Sequence, residues 1–285
     1  MGQPRGFERV YQMLKKFLEE HGFKVKRGAW LDVYKDNILW CDLQVGHWAF
    51  HRPPRRGAKY TILYMFCEGR VKPEARQWLK GYDYVLVPTK WLKKHLEELD
   101  VHAEVMRMGI DTEFFKPIPM YKWIDVLYIA IWESSWDNRK FLHKVYEVSF
   151  PYSTYIHSRV TIPYEMLPYI YNSAKVYLSL TACEGCNVPC IEANACGVPV
   201  VANAEPSTRE YAYGVLIDPV KVYDIEDRGI IFTFHEPNFQ KLKEELHKLL
   251  KDHARLHNMS IEARQFALQF DYRKTYRLLL EILTK

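Results

Sequence analysis

A two-domain α/β protein built on parallel sheets is the fold class that the sequence predicts, on three observations. Helical and extended segments alternate over most of the chain. Short apolar runs bounded by turn residues have the length of buried strands. Pro117 and Pro119 precede a fresh strand-like run from Ile124, which reads as a linker into a second unit. The boundaries that follow are 1–118, 119–270 and a closing helical segment, 271–285.

The elements follow in order. Val10, Leu14, Phe17 and Leu18 share one helical face, Gly22 closes that helix, and Phe23 to Val25 extend. Buried strands are expected at Ile38 to Cys41, Tyr60 to Phe66, Tyr84 to Val87, Ile124 to Ile129 and Lys175 to Ser179. From Phe239 onward the pattern is helical: Leu242, Leu246, Leu249 and Leu250 form one stripe, followed by Ile261 to Phe270 and Tyr276 to Leu283.

The composition bounds the function. A chain of 285 residues, 48% hydrophobic and 26% charged, can bury one large core or two modest ones. It has no apolar run of transmembrane length and no apolar segment of signal-peptide type, so a soluble, cytoplasmic protein with free thiols is expected. A net charge of +5 suits phosphate-bearing ligands but is too weak to name nucleic acid as a partner. The densest basic patch, His51 to Arg56 with Lys59, reads as a solvated loop, with an acceptor phosphate or peripheral association with an anionic membrane as the alternatives. The eleven histidines show no metal-like spacing.

Tyr177 to Pro219 carries the chemistry. A strand ends at Ser179 to Thr181, a turn holds Glu184 and Gly185, and a helix runs from about Val188 to Ala195. Gly197 caps that helix before a strand at Val198 to Ala202. Such a helix starts with free backbone N–H groups and a positive dipole end where open α/β sheets bind ligands, so an anion such as a diphosphate would be stabilised there. Glu184 sits on the turn and Glu192 about one turn into the helix. The two can face one cleft at different depths, one near a sugar and one near a ribose, through hydrogen bonds of about 1.5 to 3 kcal/mol each. Taken alone, the pair is equally a helix N-terminal charge or a surface salt bridge.

The surrounding pattern resembles the signature of retaining GT-B glycosyltransferases of the family-4 type. The matching residues are Glu184, Gly185, Pro189, Glu192, Ala193, Gly197, Pro199, Val200 and Val201, then Glu210 and the run Gly214 to Pro219. The resemblance implies a GT-B fold, with two Rossmann-like domains facing across a cleft, a reduced N-terminal domain and a final helix that returns to it. It implies that Glu192 binds the donor ribose and that Glu184 lies by the transferred sugar, with Gly185, Asn187 and Val188 lining the donor. Asn187 stands where the family has a second glycine. Arg139 and Lys140 fall where the family places a lysine against the donor diphosphate, whereas Ile131 replaces the usual arginine after the preceding strand.

Beyond this stretch, Tyr84 to Thr89 with Trp91 and Leu92, then Arg107 to Asp111 and Phe115-x-Pro117, resemble the end of the family's first domain and its linker. Pro4-x-Gly6-x-Glu8-Arg9 resembles the glycine loop that faces the donor, here without the strand that usually precedes it. His47 matches a family histidine near the cleft, or serves the core. Cys67 and Glu68 stand where a second histidine is expected.

Cys183, Cys186, Cys190 and Cys196 suggest a metal site by number, but Cys190 and Cys196 would lie about 120° and about 9 Å apart along one helix, so small buried side chains are expected instead. Trp48, Trp132 and Trp136 are candidates for sugar stacking as well as for packing. The reading is therefore a metal-independent retaining transferase without a cofactor. It would move a sugar from a nucleotide-diphosphate-sugar donor of UDP or GDP type to a hydroxyl acceptor. The rivals are a degenerate module that only binds sugar nucleotides or glycans, and a sugar-nucleotide epimerase.

Overall fold

The computed structural model describes residues 6–27, 31–47, 57–130, 139–158, 162–227 and 229–285. The chain divides into two compact units. Among the described residues, one comprises 6–109, 226–232 and 270–285, and the other comprises 110–225 and 233–269.

The first unit opens with helix α1 (Gly6–Glu20), whose Val10, Leu14, Phe17 and Leu18 are all buried. Gly22 ends it at φ +84°, in the left-handed region that costs glycine nothing, and the Phe23 amide reaches back to Leu18 O at 3.1 Å. Strands β1 (Lys24–Arg27), β2 (Leu31–Lys35) and β3 (Ile38–His47) then run antiparallel to one another. Asp36 and Asn37, at φ 50° and 62°, form the two-residue turn between β2 and β3, a connection whose twist matches that of the strands.

Next come β4 (Tyr60–Phe66), β5 (Gly69–Arg70), α2 (Arg76–Leu79), β6 (Tyr84–Val87), α3 (Lys90–Glu98) and β7 (Glu104–Val105). The sheet order is β1-β2-β3-β4-β6-β7, parallel from β3 onward. It is therefore mixed where parallel pairing was expected, because a two-residue turn can only join antiparallel neighbours. Leu63, Met65, Val85, Val87, Leu92 and Leu96 anchor its core.

The second unit contains β8 (Ile124–Ala130), α4 (Val145–Ser149), β9 (Thr154–Ser158), α5 (Leu167–Asn172), β10 (Ala174–Ser179), α6 (Val188–Ala195), β11 (Val200–Asn203), α7 (Pro206–Tyr211) and β12 (Gly214–Ile217). Strands β13 (Lys221–Asp227) and β14 (Ile230–Glu236) follow, then α8 (Phe239–Lys251) and α9 (His253–Ala267). Its sheet is parallel throughout, in the order β12-β11-β10-β8-β9. The chain steps from β8 to β9 on one side and returns to β10 on the other, so the order reverses between β8 and β10. In open α/β sheets ligands bind at the carboxyl ends of the strands flanking such a reversal. Val126, Tyr128, Val176, Leu178 and Val201 pack under Leu242, Leu246 and Leu249 of α8.

The linker motif is divided between the units, Arg107 to Gly109 belonging to the first and Ile110, Asp111 and Phe115 to the second. Asp111 Oδ1 accepts from the amides of Glu113 and Phe114, and the Phe115 ring packs edge-on to Tyr164 and Tyr171. The helical run after Phe239 is interrupted at Asp252, which ends α8 and caps α9 by accepting from the Arg255 amide at 2.9 Å.

Helices α10 (Tyr272–Thr275) and α11 (Arg277–Leu283) complete the first unit. There Tyr272 and Tyr276 stand edge-on to Phe17, and Tyr272 donates to Glu20. The 226–232 segment also belongs to this unit, where Ile231 and Phe232 of β14 pair with Arg70 and Gly69 of β5. No helix among the described residues is long and apolar enough to cross a membrane.

Candidate functional site

At the reversal point, residues from the carboxyl ends of β8 and β10 converge. Arg139 and Lys140 follow β8, and Glu184 follows β10. The Glu184 carboxylate is held between the two cations: Lys140 Nζ pairs with Oε1, and Arg139 Nη1 lies 3.3 Å from Oε2. Thr181 Oγ1 adds a hydrogen bond to Oε1 at 3.2 Å. All three charged side chains are mostly covered, which lowers the local dielectric and strengthens their mutual attraction. One carboxylate between two cations leaves the cluster with a net positive charge.

The backbone fixes this cluster from several sides. Arg139 Nη1 also donates to Cys183 O at 2.8 Å, and Arg139 O accepts from the Ala182 amide at 2.8 Å. Tyr128 of β8 bonds to Lys140 O. Asn203, at the end of β11, donates to Thr181 O at 2.9 Å and His235 O at 2.7 Å, while the His235 amide donates to Ala182 O at 2.9 Å. Residues 181–184 are thus tied to three neighbouring segments of the sheet's carboxyl edge.

Helix α6 follows at Val188, with Pro189 in its first turn. The expected free amides at its start are partly used within the turn, because Val188 N bonds Cys186 O at 2.9 Å and Cys190 N bonds Asn187 O at 3.1 Å. A helix start this tight closes its own first donors. Among the described residues no backbone carbonyl accepts from the amides of Gly185, Cys186 or Asn187.

Asn187 has φ −80°, a conformation that needs no glycine, and its side chain turns inward. Nδ2 donates to Ser179 Oγ at 3.1 Å and to Thr208 Oγ1 at 2.8 Å. Thr208 in turn meets Glu205, a buried carboxylate that caps α7 by accepting from the amides of Ser207 at 3.0 Å and Thr208 at 2.7 Å. Burial pushes the Glu205 carboxyl above its ordinary value, against the hydrogen bonds from Thr208 and Ser207.

Glu192 lies one turn into α6 and is 1% exposed. One partner sits on another helix: Tyr171 of α5 donates to Oε2 at 2.7 Å. Gly6 opens α1 and His47 closes β3, opposite Phe66, both in the first unit. Ile131, Trp48, Trp132, Trp136 and the 51–56 loop lie outside the described residues. Lys59 stacks on Trp40 at 4.1 Å and on Tyr60 at 4.8 Å. Cys183, Cys190 and Cys196 are buried, and burial pushes the Cys190 and Cys196 thiols well up. Among the described residues no group of three or more His, Cys, Asp or Glu could hold a metal ion.

Sequence reading missed Tyr171, Thr181 and Asn203. None carries a local signal: each is defined by a partner on a different strand or helix.

Residues 156–266 match the family model described as glycosyl transferases group 1. No curated protein sequence matches the chain significantly. Sucrose-phosphate synthase from Thermosynechococcus elongatus superposes with a TM-score of 0.64 at 13% identity, over 85% of this chain and 73% of that one. Anabaena HepE in complex with UDP gives 0.60 at 13% identity, over 79% and 72%. The pneumococcal O-GlcNAc transferase GtfA in complex with UDP and GlcNAc gives 0.59 at 13% identity, over 79% of this chain but only 52% of its own. At these identities the likeness is one of fold. The family match is thus confined to residues 156–266, and the likeness of the chain to these structures is that of the GT-B fold.

Proposed function

We propose that this protein transfers a sugar from a nucleoside-diphosphate sugar of UDP or GDP type to a hydroxyl acceptor, with retention of anomeric configuration. The observation that carries the proposal is the convergence of Arg139, Lys140 and Glu184 at the reversal point of the second unit's sheet. Two cations, with the backbone amides of Gly185 to Asn187 on the turn beside them, suit a diphosphate with developing negative charge. The complexes of HepE and GtfA with UDP support a uridine donor.

In this reading the acceptor oxygen bonds to the anomeric carbon on the face that the diphosphate leaves. The bond from that carbon to the diphosphate oxygen breaks, and the acceptor's proton passes to the departing diphosphate. Lys140 and Arg139, rather than a metal ion, offset the charge on the leaving group. Val188 and Pro189 line the same turn, Glu184 contacts the sugar when it exchanges its cations for the donor, and Glu192 binds the ribose. Under the same proposal His47 and Gly6 are the first unit's candidate contributors.

The test is turnover across UDP-, GDP- and ADP-sugars with EDTA present and Glu192→Ala as the control. Transfer that survives EDTA and falls in the variant supports the proposal. Donor binding without turnover would make the chain a binding module; conversion of the donor sugar with no acceptor present would make it an epimerase.

A further inference from the structure

Glu192 and Tyr171 are both almost fully buried, at 1% and 0% exposure. A buried carboxylate needs hydrogen-bond donors to offset its lost hydration, and Tyr171 supplies one at 2.7 Å to Oε2. The Tyr171 ring is braced edge-on by Phe115 at 6.0 Å and Tyr177 at 6.1 Å, and Phe115 O is held by Arg264 Nη1 at 2.9 Å. A glutamate has three rotatable side-chain bonds, so a fixed phenol determines both where its carboxylate lies and how its plane is turned. With Oε2 already accepting from Tyr171, a bidentate grip on two ribose hydroxyls by Glu192 has to be shared with the phenol.

We propose that Tyr171 is a positioning residue that orients the Glu192 carboxylate toward the hydroxyls of the donor ribose, and thereby sets discrimination between ribonucleotide and deoxyribonucleotide diphosphates. This rests on the reading of Glu192 as the ribose ligand. In this role the phenol acts on the donor through Glu192, so its removal is expected to change the ribose contact while the base and diphosphate contacts stay.

The experiment is calorimetric binding of UDP and GDP, and of their 2′-deoxy and 3′-deoxy counterparts, to the full chain and to Tyr171→Phe. The expected result is a wild-type preference of about tenfold for the ribonucleotide, corresponding to one well-made hydrogen bond. In Tyr171→Phe most of that margin disappears while the deoxy affinities hold. A variant that keeps the margin, or that loses ribo and deoxy affinity alike, overturns the proposal, since a purely packing role would do either.

Glu192→Gln and the double variant provide the second arm. If the phenol works through the carboxylate, adding Tyr171→Phe to Glu192→Gln costs nothing further in the ribo-to-deoxy ratio; a further loss overturns the proposal. A wild-type chain that binds ribo and deoxy diphosphates equally sinks the ribose role of Glu192 itself, whereas a wild-type margin retained in Tyr171→Phe sinks only the role of Tyr171.

Discussion

Asn187 Nδ2 lies 2.8 Å from Thr208 Oγ1, so the turn that carries Glu184 and Gly185 is tied to the first turn of α7. A second bond, to Ser179 Oγ at 3.1 Å, ties the same amide to the end of β10. The residue that stands in place of the family's glycine therefore braces the turn through its side chain.

Replacing Asn187 with Ala is expected to cost about 1 to 3 kcal/mol of stability, since two buried hydroxyls lose a donor. Urea unfolding measures this. Asn187→Gly should be no better, because φ −80° gives glycine no advantage and adds backbone entropy to the unfolded chain. A glycine variant as stable as wild type would show that the brace is idle.

Gly214→Ala should disrupt the edge of the second sheet. A Cβ there would lie 1.9 Å from Val200 O, a backbone atom of the paired strand that cannot move without breaking the β11 and β12 register. The expected loss is roughly 3 kcal/mol or more, read as a lower thermal midpoint.

Arg264 Nη1 donates to Thr112 O at 3.0 Å, Phe115 O at 2.9 Å and Ala195 O at 2.9 Å, joining the linker segment to the end of α6. Arg264→Met keeps the stem and removes the donors, so about 2 to 4 kcal/mol should be lost. Arg264→Lys should recover only part of it, because an ammonium lacks the planar fork.

Asp125 gives a pH signature. Partial burial raises its carboxyl, but the bonds from Lys175 and Ser153 outweigh that and hold it below its ordinary value near 3.8. A lowered folded-state value contributes stability above the unfolded value, lost as pH falls through the lowered one. Asp125→Asn should therefore be less stable than wild type at neutral pH, by about 1 kcal/mol, and the difference should shrink below pH 4. Paired unfolding curves across that range decide it.

Lys140→Met should slow transfer by roughly a hundredfold at saturating donor, if the cation offsets charge that develops as the diphosphate leaves. Steady-state kinetics separate this from a simple rise in KM, which would mark Lys140 as a binding group only.

Elements with local signals were legible in the chain. Helix α6 runs from Val188 to Ala195 as read, because Pro189 favours its first turn and Gly197, at φ +71°, ends it. Strands β4 and β6 likewise match residue for residue, being apolar runs between breakers. The β2 to β3 turn was also there to be read, as Asp36-Asn37 between apolar segments, whereas β9, Thr154–Ser158, is too mixed in composition to stand out.

By itself, then, the sequence determined the segments bounded by caps and breakers, such as α6, β4 and β6, and which motif holds Glu184 and Glu192, since propensity, capping and turn geometry depend on residues close along the chain. The tertiary structure alone decided that β8 and β10 flank the reversal, that Glu184 falls between Arg139 and Lys140, and that Tyr171 meets Glu192. Those pairings join residues some 20 to 45 positions apart, and they exist only because apolar faces with no local record of one another are buried together.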